Sequence, residues 1–346
     1  MKIVFTGGGT LGHVMPNIYL MEELKNYEIF YIGGNGIEKE KLNELKVKYF
    51  EVPTTKFKRD KIFSNFKIPF TLVKSINKCK KILKEIKPDV LFSKGGYVSL
   101  PVCLAARKLN IPIIAHESDY SFGLANKIIL KLCKTMCVNF KNLEEKNNKC
   151  IYTGPIFSKN FEKTTKNLKN LNIYENKQTI LIVGGSLGSK FINEQIYKNL
   201  PSLIENFNII HITGKGNLKI KSYENYNAME ISDDIVNLYN IADFVICRSG
   251  AGITAESYYK NLPMILIPLE NKSTRGDQVL NAKYYESLGV AEIVREYEFK
   301  EINFKEKILN FAKNIEKFNK KYKNSTKING KQKILGMIKG CENKKN

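Results

Sequence analysis

A chain of 346 residues, 43% of them hydrophobic and 26% charged, is ordinary for a globular protein and long enough for two domains of about 150 residues. Fifty-six basic against 34 acidic residues give a net charge of +22, which points to an anionic partner; abundant Asn, Lys and Ile make part of the excess plain solvated surface, and without a helix-turn-helix, zinc-finger or aromatic RNP pattern no nucleic acid is expected. No apolar stretch makes a signal peptide or reaches the roughly 20 residues of a membrane span, so a cytoplasmic, non-integral protein is expected.

Short β-branched runs at 2 to 6, 28 to 33, 47 to 52, 89 to 93, 111 to 115, 135 to 139 and 149 to 152 read as strands. Helices fit between them at 16 to 25, with Pro16 in the first turn, and at 70 to 86, 99 to 109 and 123 to 132. A polar stretch from 157 to 178 reads as a domain junction. Strands then recur at 179 to 184, 207 to 212, 243 to 247, 263 to 267 and 290 to 294, with helices at 189 to 205, 234 to 241, 253 to 261 and 277 to 288. From 303 onward the Lys-rich sequence predicts terminal helices and a frayed tail. Alternating strand and helix predicts an α/β protein of two Rossmann-like domains with parallel sheets facing a central cleft. The expected divisions are 1–156, 157–325 and a C-terminal helix and tail at 326–346.

Each half begins with a strand running into glycines and then a helix: Gly7-Gly8-Gly9-Thr10-Leu11-Gly12-His13 after residues 3 to 6, and Gly184-Gly185-Ser186-Leu187-Gly188-Ser189 after 180 to 183. Such loops let a phosphate approach the backbone and the positive end of a helix. Gly7, Gly9 and Gly12 satisfy GxGxxG, a weak dinucleotide signal, yet the second strand ends in Gly33-Gly34-Asn35 with no carboxylate before Glu38. His13 stands instead at a helix start, which favours a neutral imidazole able to accept a proton; an ordinary turn-capping histidine is the bland alternative. The loops Ser93-Lys94-Gly95-Gly96-Tyr97 and His116-Glu117-Ser118-Asp119 follow strands of the same predicted sheet and share its carboxyl edge with His13.

In the second half Cys247-Arg248-Ser249-Gly250-Ala251-Gly252-Ile253-Thr254-Ala255-Glu256 opens a helix, and its small residues admit a diphosphate. Glu256, one turn in, is placed to hold ribose hydroxyls, against the bland reading of an exposed helix carboxylate. Arg275-Gly276-Asp277-Gln278 begins the next helix, and Asp233-Asp234 reads as a helix cap rather than a metal-binding DxD. Seven cysteines with no CxxC spacing and no nearby histidine read as small core or surface residues, so no metal site is expected.

Taken in order over roughly residues 1 to 295, the GGGTxGHxxP start, SKGGYVSLP, HExx, GGSxGS, RSGAG…E and RGDQxxNA segments resemble the MurG family. These are peripheral membrane glycosyltransferases that add N-acetylglucosamine to undecaprenyl-diphosphate-muramoyl-pentapeptide. The resemblance implies a GT-B fold, inverting transfer from UDP-N-acetylglucosamine to the muramoyl 4-hydroxyl, no obligatory cofactor, and work at the anionic cytoplasmic face of the plasma membrane. It implies His13 as base, with donor contacts from Gly9, Thr10, Leu11, Ser186, Ile231, Ser232, Ala251, Gly252, Ile253, Glu256 and Gln278. Acceptor and diphosphate contacts fall to Gly12, Gly95, Gly96, Tyr97, Glu117, Asp119 and Asn126, and a membrane face to Lys58, Arg59, Lys61, Ile62, Phe63 and Phe66. The chain departs from the family pattern at Leu11, Leu187, Ser118-Asp119, Ile253 and the shortened Gly154-Pro155-Ile156-Phe157. Another UDP-sugar transferase, a UDP-N-acetylglucosamine 2-epimerase and a non-catalytic nucleotide-sugar-binding protein are the alternatives.

Overall fold

Apolar runs too continuous for a half-solvated sheet form the inner strands of two parallel sheets in succession, buried on both faces, whereas the edge strands are partly open. The computed structural model describes residues 1–55, 66, 68–185, 187–270, 275–323 and 325–342. Its first sheet holds β1 (Lys2–Thr6), β2 (Glu28–Gly33), β3 (Lys48–Glu51), β4 (Val90–Ser93), β5 (Ile113–Glu117), β6 (Thr135–Val138) and β7 (Cys150–Tyr152). They lie in the order β3-β2-β1-β4-β5-β6-β7, every pair parallel. Helices α1 (Leu11–Met21), α2 (Ile37–Glu44), α3 (Ile68–Ile86), α4 (Ser99–Lys108), α5 (Leu124–Leu132) and α6 (Lys141–Glu145) link them.

The second sheet repeats the plan. β8 (Gln178–Val183), β9 (Phe207–Ile212), β10 (Tyr226–Met229), β11 (Phe244–Cys247), β12 (Met264–Leu266) and β13 (Ala291–Ile293) run parallel in the order β10-β9-β8-β11-β12-β13. Helices α7 (Lys190–Ile204), α8 (Ile235–Ile241), α9 (Ala251–Tyr259) and α10 (Asp277–Ser287) connect these strands, and α11 (Phe304–Lys313), α12 (Ile315–Tyr322) and α13 (Lys331–Lys339) follow. Residues Met1–Lys159 with Ile328–Asn346 form one unit and Asn160–Lys327 the other. The last helix therefore belongs with the first sheet: Ile334, Leu335 and Ile338 are buried in a core with Ile3, Phe5, Val14 and Ile18. Each such side chain contributes about 1.5–3 kcal/mol by leaving water.

Local differences from the sequence expectation have identifiable causes. The first helix starts at Leu11, not at 16, so Pro16 lies inside it. The carbonyl that loses a partner there is that of Gly12, which is exposed and can meet water. β5 runs on to Glu117, so His116 and Glu117, expected in a loop, are buried strand residues. Helix α2 has almost no apolar periodicity, and α6 is five residues long.

Asparagine side chains supply what apolar residues do not. The polar stretch after residue 160 is laid along the second unit, with Asn167, Asn172 and Tyr174 donating their backbone N–H to the side chains of Asn237, Asn227 and Asn208 at 2.7, 2.8 and 2.9 Å. β10, unrecognised in the sequence because it reads Tyr-Asn-Ala-Met, pairs with β9 and joins this stitching through Asn227. Asp234 caps α8 by accepting from the Asn237 N–H at 3.3 Å. All seven cysteines are buried thiols.

His211 on β9 is buried between Tyr226 and Asn193, each 3.0 Å from one ring nitrogen. The amide oxygen of Asn193 takes the Nε2 proton, so Nδ1 accepts from the Tyr226 hydroxyl and the ring is neutral. Burial pushes its pKa down to about 4. The unfolded ring binds a proton below about 6.5, so stability falls as pH drops from 6.5 towards 4, by up to roughly 3 kcal/mol. Thermal unfolding at pH 7 and pH 5 should show a smaller acid-induced fall in Tm for His211→Gln than for the wild type; an equal fall would mean that this ring does not control the transition.

Candidate active site

Strand order reverses between β1 and β4 in the first unit and between β8 and β11 in the second. Connections leave such neighbours in opposite directions and open a crevice at the carboxyl edge of the sheet. In each unit the glycine loop and a second small-residue loop follow these two strands.

In the first unit His13 stands in the first turn of α1, half-buried, with its backbone N–H on the Thr10 carbonyl at 3.1 Å. Its Nδ1 is 3.0 Å from the Thr10 hydroxyl oxygen. When Nδ1–H donates to that oxygen, Nε2 carries the lone pair and can accept a proton. The loop after β4 presses against it: a side chain on Gly96, at φ +81°, would put a Cβ 3.0 Å from the Gly8 carbonyl oxygen and 3.5 Å from His13 Nδ1. Tyr97 lies against Gly9, and Asn126 against Gly95. Gly9, Thr10, Leu11, Gly12, His13, Gly95, Gly96 and Tyr97 thus form one cluster.

Three charged residues to which the sequence assigned no role shape both sites. The buried Glu38 carboxylate accepts from the Gly9 N–H and the Gly34 N–H, each at 3.1 Å. A Cβ on Gly8 would stand 2.5 Å from this carboxylate and one on Gly36 2.9 Å away. The first glycine loop, expected to cradle a phosphate, is therefore occupied at Gly9 by an internal anion. Lys94, also buried, donates to the Ser118 hydroxyl at 3.1 Å. Burial lowers its pKa to about 8, against the opposing pull of Glu117 and Asp119. His116, buried beside this ammonium, is held well below its ordinary range, first by burial and then by the Lys94 charge. Glu117 acts as a brace, accepting from the N–H groups of Asp119 and Gly123 and from the Asn126 amide at 3.0, 2.9 and 3.0 Å.

The second unit is open where the first is filled. A Cβ added at Gly185, Gly250, Gly252 or Gly276 would meet nothing within 4 Å among the described residues. Among the described residues no side chain caps the N-terminus of α9, so the N–H groups around Ala251, Gly252 and Ile253 form the uncapped positive end of a helix. The third unforeseen charge, Arg248, is buried behind them, donating to the Ser189 hydroxyl at 3.1 Å and to the carbonyls of Ile267 and Pro268 at 3.1 and 3.3 Å. It pairs with Glu296. Asn281 donates to the Ser249 carbonyl at 3.1 Å.

Glu256 is half-buried, not an exposed helix carboxylate, and its Oε2 accepts from the Tyr239 hydroxyl at 2.8 Å. Burial raises its pKa and the Tyr239 hydrogen bond opposes the rise. Gln278 Oε1 accepts from the Leu269 N–H at 2.9 Å, tying α10 to the loop after β12. Exposed Ile231 and half-buried Ser232 follow β10, and Ser232 accepts from the Asp234 N–H at 3.2 Å. Ser186 lies outside the described residues, as do Lys58, Arg59, Lys61, Ile62 and Phe63. Among the described residues no group of three or more His, Cys, Asp and Glu side chains is arranged to hold a metal ion.

The sequence profiles described as Glycosyltransferase family 28 N-terminal domain and Glycosyltransferase family 28 C-terminal domain match residues 3–138 and 179–337. The chain is 42% identical over 352 aligned positions, 98% of each chain, to the UDP-N-acetylglucosamine–N-acetylmuramyl-(pentapeptide) pyrophosphoryl-undecaprenol N-acetylglucosamine transferase of Clostridium perfringens (strain SM101 / Type A). It is 43% identical over 323 positions, 90% of each chain, to the protein of the same name from Clostridium botulinum (strain Alaska E43 / Type E3). Among solved structures, Acinetobacter baumannii MurG superposes with a TM-score of 0.76 at 22% identity, covering 98% of this chain and 99% of that one. The UDP-GlcNAc 2-epimerase of Methanocaldococcus jannaschii shares the fold at a TM-score of 0.63 and 17% identity, over 98% and 99% of the two chains.

Proposed function

Because this chain belongs to the MurG family of glycosyltransferases and has the GT-B fold, we propose that it joins N-acetylglucosamine to the 4-hydroxyl of a polyprenyl-diphosphate-linked muramoyl pentapeptide, with His13 as the base. UDP-N-acetylglucosamine is the donor. The acceptor hydroxyl attacks C1 of the donor sugar, its proton passes to His13 Nε2, and UDP departs from the opposite face with inversion.

One observation carries this reading: the Thr10 hydroxyl holds the imidazole, beside Gly96, at the strand-order reversal of the first unit. The departing diphosphate gains charge as the glycosidic bond breaks, and preorganised N–H donors stabilise it at no cost in reorganisation. The uncapped start of α9 and the open glycines 250 and 252 suit that role. Glu256 is the ribose ligand, Ile231 and Ser232 flank the uracil, and Gln278 completes the donor pocket. Gly12, Gly95, Gly96, Tyr97, Asp119 and Asn126 surround the acceptor. Transfer of labelled N-acetylglucosamine to a soluble analogue of the lipid acceptor, with analysis of the released nucleotide, tests the assignment. Epimerised donor, or donor binding without turnover, would overturn it.

No described helix is long and apolar enough to cross a membrane, yet the acceptor carries a lipid. Phe66 and the start of α3 supply a docking surface. Phe66, Phe70 and Val73 are 79%, 72% and 59% exposed, and the two rings touch at a centroid distance of 6.4 Å. Lys74, Lys78 and Lys81 continue the exposed stripe. Apolar side chains beside lysines suit an anionic leaflet, where each nearby basic residue contributes about 1 kcal/mol. The triple variant Phe66→Ser, Phe70→Ser, Val73→Ser is expected to lose most binding to vesicles containing phosphatidylglycerol while transferring sugar to a short-chain acceptor at the wild-type rate. Undiminished vesicle binding would remove this surface from consideration.

A further inference from the structure

A buried phenol needs a partner for its hydroxyl, and the choice of partner constrains that group in turn. Tyr239, in α8, is 2% exposed, and Phe161 packs edge-on against its ring at 6.2 Å. Its hydroxyl donates to Glu256 Oε2 across the gap between α8 and α9. Among the described residues no donor engages Oε1. One oxygen of the carboxylate is thus anchored from behind, and the other is available.

We propose that Tyr239 is a positioning residue for nucleotide recognition: its hydroxyl fixes the plane of the Glu256 carboxylate, so that Oε1 and the remaining lone pair of Oε2 meet the vicinal diol of the donor ribose. This rests on Glu256 being the ribose ligand. A vicinal diol presents two donors at a fixed spacing, and a carboxylate free to rotate would satisfy both only part of the time. Tyr239 removes that freedom before the nucleotide arrives. It also biases the carboxylate towards the ionised form that accepts both hydroxyls, countering the effect of burial. Among the described residues the titratable side chain facing this pair is the Cys247 thiol on β11.

The test compares wild type, Tyr239→Phe and Glu256→Gln in three readouts: kcat and KM for each substrate, the dissociation constant of UDP-N-acetylglucosamine by calorimetry between pH 5 and 8, and the same constant for the 2′-deoxyuridine analogue. Loss of one hydrogen bond predicts a donor Kd about three- to tenfold higher in Tyr239→Phe. Its kcat and acceptor KM should stay within about twofold. The weakening of donor binding in acid should begin at higher pH in that variant, because Glu256 then protonates more readily. Discrimination against the 2′-deoxy analogue should shrink, a change that a merely structural tyrosine would not cause. If Glu256→Gln weakens donor binding while Tyr239→Phe shifts neither the pH dependence nor the discrimination, the positioning role is wrong and the ribose assignment stands. If Glu256→Gln binds donor as the wild type does, the assignment of Glu256 is wrong and the role of Tyr239 falls with it.

Discussion

Replacement of His13 by Ala is expected to lower kcat for sugar transfer by about 10²- to 10⁴-fold, the usual contribution of a general base. The fold should survive, because His13 is half-buried in the first turn of α1, whereas its neighbour Val14 carries the core contact. Donor affinity should survive as well, since the carboxylate and open helix terminus assigned to the nucleotide belong to the other unit. The residual rate would come from stabilisation of the leaving diphosphate, which the substitution leaves intact. Rapid-quench measurement of labelled sugar transfer, with calorimetry of UDP-N-acetylglucosamine binding, separates the two effects. Wild-type turnover with unchanged pH dependence would mean that another group takes the proton.

Glu256→Ala is expected to raise the donor KM about ten- to a hundredfold, the loss of hydrogen bonds to a charged group worth roughly 1.5–3 kcal/mol, with the acceptor KM little changed. It also strands the buried Tyr239 hydroxyl, so a lower Tm should accompany the kinetic change. Gln278→Ala should behave differently in one respect. Its Oε1 already holds the Leu269 N–H, so part of its effect on the donor would arrive through a loosened loop after β12. Equal increases in donor and acceptor KM would point to general loss of structure.

How much the sequence disclosed depended on whether a residue answers to its neighbours in the chain or to distant ones. Gly96 and Gly188 were readable as turn residues, because a positive φ is a local demand that glycine meets, whereas their close approach to the backbone of Gly8 and Thr213 was not. That the two glycine loops follow strands was read correctly, but the order of those strands in each sheet was not. Lys94 and Arg248 lie inside the glycine-bearing segments and Glu38 follows the second strand, yet the burial and pairing of none of the three were legible. Each is a charge whose partners come from elsewhere in the chain: Gly9 for Glu38, Ser118 for Lys94, Ser189 and Ile267 for Arg248. Only the fold determines whether such a residue is solvated or enclosed. The strand Tyr226–Met229 was hidden for a related reason, since its asparagine is satisfied by side chain to backbone bonds with residue 172. Pro16 misled because proline is common at helix starts, and here the helix had begun five residues earlier at the glycine loop.

The return of α13 to the first sheet sets the order in which the protein can mature on the ribosome. The second unit has all its residues once Lys327 has emerged, whereas the first, begun earlier, waits for Ile334, Leu335 and Ile338 to cover Ile3, Phe5, Val14 and Ile18. At roughly 5 to 20 residues per second the interval between Lys159 and Ile328 lasts on the order of 10 to 30 s. During that time the nascent amino-terminal half carries an unsealed apolar face, a natural client for a ribosome-bound chaperone.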